Sequence, residues 1–449
     1  MEQESLSFEA LDQVREDYLK DEKNTVVRHA LMNSGFSAVV GSYDDAKDQD
    51  FTFSVDLKTL PVSNQKHSGR CWIFSASNLL REHIAKELQI AGQFEISQNY
   101  ISYFDKLEKY NFFLENVIDL ILKGETHDSR RMEFLLRAGV GDGGQWDMYV
   151  DLVKKYGIVP KAAFPETSQS NETRFSSIVA NSILRQFAAE AYHLHEKGET
   201  ERKAFEALKK GAMEKIYVLL TDSFGVPPKT FDFEYRDVKG EYHIQKGMTP
   251  KSFFDAYVGS WIDEFVSVIH GPTKDKAYGQ TYNVELVGNV IGAKPITHLN
   301  LPFERIEELI IAQLQAGEIV WFGSDVSYFG DRPNGVWDDK AFDYHTPFGT
   351  DLKFDKADML DFYHSAMNHA MVITGVDLKD GKPVRWKIEN SWGEDIAKKG
   401  YFVMTEGFFR SFVYQAAIER RFLSEEEKKD LEKKPVLLPP WDPFGTLAD

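Results

Sequence analysis

"NQKHSGRCWIFSASNLL", residues 64–80, contains Cys71, the only cysteine among 449 residues. The run before it, "DLKTLPVSNQKHSGR", carries Pro61, Gly69 and polar clusters and reads as a loop. After it, Ile73, Ala76, Leu80, Ile84 and Leu88 recur at helical spacing and give one apolar face. The thiol therefore sits where a loop ends and an amphipathic helix begins. A helix N-terminus presents unpaired N–H groups and a partial positive charge, and both favour thiolate over thiol. A free cysteine is more often a small buried hydrophobe, but a core role gains nothing from this position.

A thiolate nucleophile needs a base, a group that orients the base, and donors for an oxyanion. Gln65 lies on the Cys71 loop; its side-chain amide and the Cys71 N–H together offer such donors. Alone, a loop glutamine is a solvated polar residue. His369 opens the apolar run "HAMVITG" and is the candidate base, although a histidine there is more often a satisfied core residue. Asn390 ends "VRWKIEN", where an asparagine is usually a turn residue. The two runs flank "KDGK" and read as a hairpin, and adjacent strands can hold an imidazole and an amide within hydrogen-bond reach. Trp392 follows two residues later, placed to shield that bond from water.

Composition narrows the class. A content of 42% hydrophobic and 13% aromatic residues suffices for a large core, and the length suggests roughly three units or one large domain with insertions. The formal charge of −18 opposes nucleic-acid binding as a default. A single cysteine excludes an intramolecular disulfide and favours a reducing compartment. The N-terminus is polar and acidic, unlike a secretory signal, and no apolar run approaches the ~18 residues of a membrane span. The expectation is a cytoplasmic globular protein without membrane partners.

Outward from Cys71, residues 1 to 35 read as helix, and a further helix is expected over 97–123. "DGGQW" (142–146) is a glycine-rich loop before a short helix. Residues 172–222 read as helical pieces broken at Gly198, and "FERIEELIIAQLQAG" as a helix stopped by Gly317. "TYNVELVGNVIG" looks strand-like, "EIVWFGSDVSYF" reads as a buried strand, and "GYFVMTEGFF" supplies a third strand beside the hairpin. The tail begins as a charged helix and ends in a Pro-rich run.

Gln65, Cys71–Trp72, His369, Asn390 and Trp392 occur in the order of the papain-type cysteine peptidases, which they resemble. Two features depart from that pattern. "HSGRCW" replaces the papain signature, and His369 follows Cys71 by roughly 300 residues rather than about 130–150. "NQKHSGRCWIF", "DGGQWDM", "MNHAMVITG", "KIENSWGE" and the terminal "WDPFGTLAD" together resemble the bleomycin hydrolase and aminopeptidase C family. His67 and Ser75 look like tolerated variants within the first block.

The resemblance implies an α+β, papain-like fold: a helical half and a β-barrel-like half, with helical insertions and a C-terminal arm. It divides the chain into an N-terminal extension packed on the core (1–60), a helical half with the nucleophile (61–170), a mostly helical insertion (171–300), a β-rich half with His and Asn (301–420) and a helix-plus-arm segment (421–449). It implies a cytoplasmic, homohexameric thiol aminopeptidase acting on peptides with a free N-terminus, with no metal or organic cofactor. By position, Cys71 is the nucleophile, His369 the general acid/base, Asn390 its orienter and Gln65 an oxyanion donor. Gly143, Gly144, Trp392 and Asp449 are expected to touch substrate. Asp449 would do so from an arm lying in the cleft, its carboxylate facing the substrate's α-ammonium group.

Other readings remain at this point. "WFGSDV" (321–326) is either a wall of the pocket or a core strand. "HLH" (193–195) and His364 with His369 invite a metal, but lack an ordered set of carboxylates or thiolates. Asn171–Thr173 matches a glycosylation sequon that a cytoplasmic chain would not use. Alternatives to the aminopeptidase are a papain-like endopeptidase and a nucleic-acid-binding member of the same family.

Overall fold

A computed structural model describes residues 5–42 and 50–448. The N-terminal helical stretch is two helices, Phe8–Lys20 and Glu22–Asn33. Asp21 divides them: its carboxylate accepts the Lys23 N–H at 2.9 Å and caps the second helix. Neither helix buries a residue within the chain.

The helix Cys71–Leu88 packs its apolar face on the helices Gln98–Leu122 and Trp146–Tyr156, with Ile73, Leu80 and Ile84 in one cluster with Trp146, Tyr149 and Leu152. From Cys71 to Arg81 its remaining surface is also buried, unlike an ordinary amphipathic helix. Ser75, Asn78 and Arg81 are 1–2% exposed, so each polar atom needs a partner. They find one in the strand half. Ser75 Oγ donates to Ala370 C=O at 2.9 Å, and Asn78 and Arg81 donate to the Glu389 carboxylate at 2.9 and 3.0 Å. This polar seam fixes the helix against the hairpin that carries His369.

The long helices Arg174–Glu196 and Arg202–Phe224 lie against Gln98–Leu122 and build a separate cluster from Leu114, Ala180, Leu184, Ile216 and Leu220. The break between them holds Gly198 at φ +100°. Beyond them come a two-stranded hairpin, Phe231–Arg236 with Tyr242–Met248, and a short strand, Gln280–Val284. The strand-like run at 281–292 ends at Val284, because the chain turns at Leu286, φ +60°.

Among the described residues the main sheet has twelve strands. At its centre, Val320–Ser324, His369–Lys379, Lys382–Glu389 and Tyr401–Thr405 are successive antiparallel neighbours. Val413–Glu419 flanks Val320–Ser324 on the other side. The register sets His369 opposite Ser324 and Val372 opposite Glu389, so Asn390 emerges where the ladder ends, near His369. The tail forms the helix Glu425–Asp430, adds Val436–Leu438 in parallel to Gln280–Val284, and ends in a 3₁₀ turn, Pro443–Ala448. No helix among the described residues is long and apolar enough to cross a membrane.

Candidate active site

Two residues one turn apart on the Cys71 helix meet a single residue of the sheet. The Ala370 N–H points at Cys71 Sγ at 3.4 Å, and Ser75 Oγ holds the Ala370 C=O. This double latch brings the thiol beside His369. Ser75, which reads in the sequence as a tolerated variant, is one half of it. The signal that could have singled it out is its i+4 spacing from the cysteine.

His369 Nε2 lies 2.9 Å from Asn390 Oδ1, and the Ser391 N–H donates to the same oxygen at 2.8 Å. Two donors on one atom identify it as the amide oxygen, so Nε2 carries the proton in that bond. The other ring nitrogen, Nδ1, is thereby left as the one able to take a proton from the thiol. Trp392 stacks on the imidazole, with centroids 5.0 Å apart and 22° between planes. All of these groups except Trp392 are buried, and Trp392 is half-buried. Shielding from water strengthens the His369–Asn390 bond.

Gln65 reaches the same place by strand-like pairing. Its N–H donates to Ser391 C=O at 2.8 Å, and Gly393 N–H donates to Ser63 C=O at 3.0 Å. Its amide is fixed at both ends, donating to Ser68 C=O at 2.6 Å and accepting from Ser391 Oγ at 2.5 Å. An amide nitrogen carries two N–H groups, so one remains beyond the bond to Ser68. Ser391 was not singled out in the sequence, where a serine after an asparagine looks like turn filler.

The helix-terminus argument predicts an easily ionised thiol. The N–H groups of Ala370, Trp72 and Cys71 do pull in that direction, but burial outweighs them and pushes the Cys71 thiol up to about 11. Burial likewise brings His369 down to about 4, against the pull of Asn390. Burial thus acts against charge on both partners. Proton transfer from sulfur to nitrogen creates both charges together.

"DGGQW" borders the site. A Cβ on Gly144 would lie 2.4 Å from the Trp72 ring, so the glycine is required by the indole that follows the cysteine. Gly143 C=O accepts from Lys109, whose ammonium also lies over the Trp72 ring. Asp142 is ion-paired with buried Lys106 and accepts the Gly69 N–H at 2.9 Å, tying this loop to the cysteine loop.

The C-terminal turn lies across the same region. Gln145 Nε2 donates to Phe444 C=O at 3.1 Å, and Thr446 Oγ1 donates to Met367 C=O at 2.8 Å, two residues before His369. Lys276 Nζ pairs with Asp442 at 2.9 Å, and the Arg130 guanidinium lies 3.6 Å from the Trp441 ring centroid. Asp449 lies outside the described residues. The histidines of "HLH" bond separately, His193 to Glu196 and His195 to Glu199 C=O. Asp237, Glu241 and His243 are the residues grouped closely enough to hold a cation among those described, and there Asp237 already binds His243 and two backbone N–H groups.

The Peptidase C1-like family matches residues 5–445. An aminopeptidase C of Lactobacillus delbrueckii is 45% identical over 99% of this chain and 98% of its own. That of Streptococcus thermophilus is 42% identical over 99% of both, and human bleomycin hydrolase is 37% identical over 89% of both. The crystal structure of PepW from Lactobacillus rhamnosis superposes with a TM-score of 0.94 at 42% identity, over 98% of this chain and 99% of that one.

Proposed function

This chain belongs to the Peptidase C1-like family as a cysteine-type peptidase of papain-like fold, and we propose that Cys71, His369, Asn390 and Gln65 release N-terminal amino acids from peptides through an acyl-enzyme. The observation that carries the reading is the latch of Cys71 onto the residue after His369, with Asn390 on the far nitrogen of the imidazole.

His369 Nδ1 takes the proton from Cys71 Sγ, and the thiolate attacks the peptide carbonyl. The oxyanion accepts from the Cys71 N–H, one of the unpaired donors at the helix start, and from the free N–H of Gln65. The imidazolium then protonates the leaving amine, and the C–N bond breaks. Water enters, His369 removes its proton, and the thioester is hydrolysed. Asn390 holds the ring through both halves of the cycle, and Trp392 keeps water from that bond.

The arm accounts for the exopeptidase limit. Residues 441–448 are anchored to both borders of the cleft, at Gln145 and at Met367. An arm held there leaves room for one residue before the scissile bond, and Asp449 is the residue proposed to pair with a free α-ammonium group. The same reading makes the protein a cytoplasmic homohexamer. The exposed apolar side chains of the first two helices, among them Leu11, Val14 and Val26, support burial between subunits.

The test compares an unblocked peptide with its N-acetylated twin. Wild type, Cys71→Ala and a chain ending at Pro440 are assayed together. Wild type should cut only the free-amine peptide, Cys71→Ala neither, and the shortened chain both. Full activity in Cys71→Ala removes the assigned chemistry. A shortened chain that still refuses the acetylated peptide removes the role of the arm.

A further inference from the structure

Arg332 lies in a turn between two short strands, Gly330–Asp331 and Val336–Trp337. Its C=O closes the turn by accepting the Gly335 N–H at 3.2 Å. The neighbouring carboxylate of Asp331 is engaged by Asn334, whose backbone N–H and side-chain amide donate to it at 3.2 and 2.7 Å. Arg332 is exposed and has no carboxylate partner among the described residues. Its guanidinium carbon instead lies 5.0 Å from the Trp392 ring centroid, and Trp392 stacks on His369 at 5.0 Å.

A cation held over a ring makes no hydrogen bond there, so the edge N–H groups of the guanidinium stay free. Those edge donors form the planar fork that binds carboxylates in pairs. The position also carries a cost. A lone cation here opposes protonation of His369, a step the proposed mechanism requires. A negative group arriving with the substrate would offset that opposition.

The chemistry fixes the side on which such a group would lie. His369 protonates the leaving amine, so the departing peptide runs past the imidazole and Trp392. The guanidinium is within about 10 Å of the imidazole centre, and an extended chain advances ~3.3–3.6 Å per residue. A carboxylate one or two residues beyond the scissile bond falls within its reach.

We propose that Arg332 is a specificity-determining residue that binds a carboxylate of the leaving peptide, one or two residues past the cleaved bond. Its source is the free C-terminus of a di- or tripeptide, or an acidic side chain at that place. The inference rests on the aminopeptidase reading above, which sets the direction of the leaving group.

Wild type, Arg332→Met and Arg332→Lys would be assayed on trialanine, its C-terminal amide, and alanyl-anilide, which has no carboxylate. A second pair of amidated peptides carries Glu or Gln two residues past the bond. Wild type should prefer the free acid over the amide in kcat/KM by about two- to fivefold, the size of one solvent-exposed ion pair. Arg332→Met should bring that ratio near one without lowering anilide turnover, since the cation that opposes protonation of His369 is gone, and Arg332→Lys should keep part of it. Salt should shrink the wild-type preference. A Glu-over-Gln preference lost in Arg332→Met, without an acid-over-amide one, assigns the site to side-chain carboxylates. Equal ratios in wild type and Arg332→Met for both pairs, with anilide turnover retained, overturn the proposal. If Arg332→Met loses anilide turnover, Arg332→Lys decides: a retained preference supports the site and its absence overturns it. A wild type without thiol-dependent anilide turnover overturns the peptidase reading itself.

Discussion

Lys276 Nζ lies 2.9 Å from Asp442 Oδ2, and both residues are at least nine-tenths buried. This ion pair joins the C-terminal arm to the loop before the strand Gln280–Val284. Removing one partner of such a pair leaves a charge buried without compensation, at roughly 3–5 kcal/mol, whereas replacing both with apolar groups is often neutral. Lys276→Met should therefore loosen the arm and admit N-acetylated peptides. Lys276→Met with Asp442→Leu should restore exclusion. Peptide cleavage by mass spectrometry checks this. A single variant that still refuses the blocked peptide, beside a shortened chain that accepts it, shows that the arm is held elsewhere.

The hairpin, the Cys71 helix and the approach of His369 to Asn390 were legible because each rests on local pattern. Alternation around "KDGK" sets the strands, and apolar spacing after Cys71 sets the helix. The buried polar seam was not legible. Ser75, Asn78 and Arg81 look like the wet side of an amphipathic helix, and only the docked sheet turns that side inward. The opposing pull of burial on the thiol was not legible for a related reason. The helix terminus is local, whereas the burial that opposes ionisation comes from elements distant in sequence.

Asn390 accepts from His369 at 2.9 Å in a buried site. Asn390→Ala should lower kcat by about 10- to 150-fold, the value of one hydrogen bond to a group that becomes charged, with KM little changed. Steady-state kinetics on alanyl-anilide measure the split. A loss confined to KM would place Asn390 in binding rather than in orienting the base.

Ser75 Oγ and Cys71 Sγ both engage Ala370. Ser75→Ala should reduce kcat severalfold and leave the Ala370 carbonyl without that donor, costing roughly 1–3 kcal/mol of stability. Thermal unfolding and kinetics on the same sample separate the two effects. Unchanged kcat at lowered stability would limit the latch to folding.

Gly144 faces the Trp72 ring with no room for a Cβ. Gly144→Ala should displace the indole and cost about 1–3 kcal/mol by overpacking. The shift should appear in tryptophan fluorescence together with a fall in activity. An unaltered spectrum and Tm would show that the loop yields freely.

Asp147 and Asp151 follow one another by a helical turn after Trp146. Burial raises Asp147 to about 6, against the Thr297 N–H that it accepts at 2.9 Å and the charge of Lys294. Burial, with Asp147 adding to it, raises Asp151 to about 7 against Lys154 and Lys294. A carboxyl whose folded value exceeds its unfolded value of about 3.9 binds its proton more tightly in the folded chain. The stability tied to that proton is full below about pH 4 and is lost as pH rises past 6. Asp147→Asn keeps an oxygen for the Thr297 N–H and removes the titration. It should stabilise the protein by roughly 1–3 kcal/mol at pH 8 and have little effect at pH 3.5. Denaturant unfolding at the two pH values measures the difference. An equal effect at both would mean that the two carboxyls ionise in the folded chain as readily as in the unfolded one.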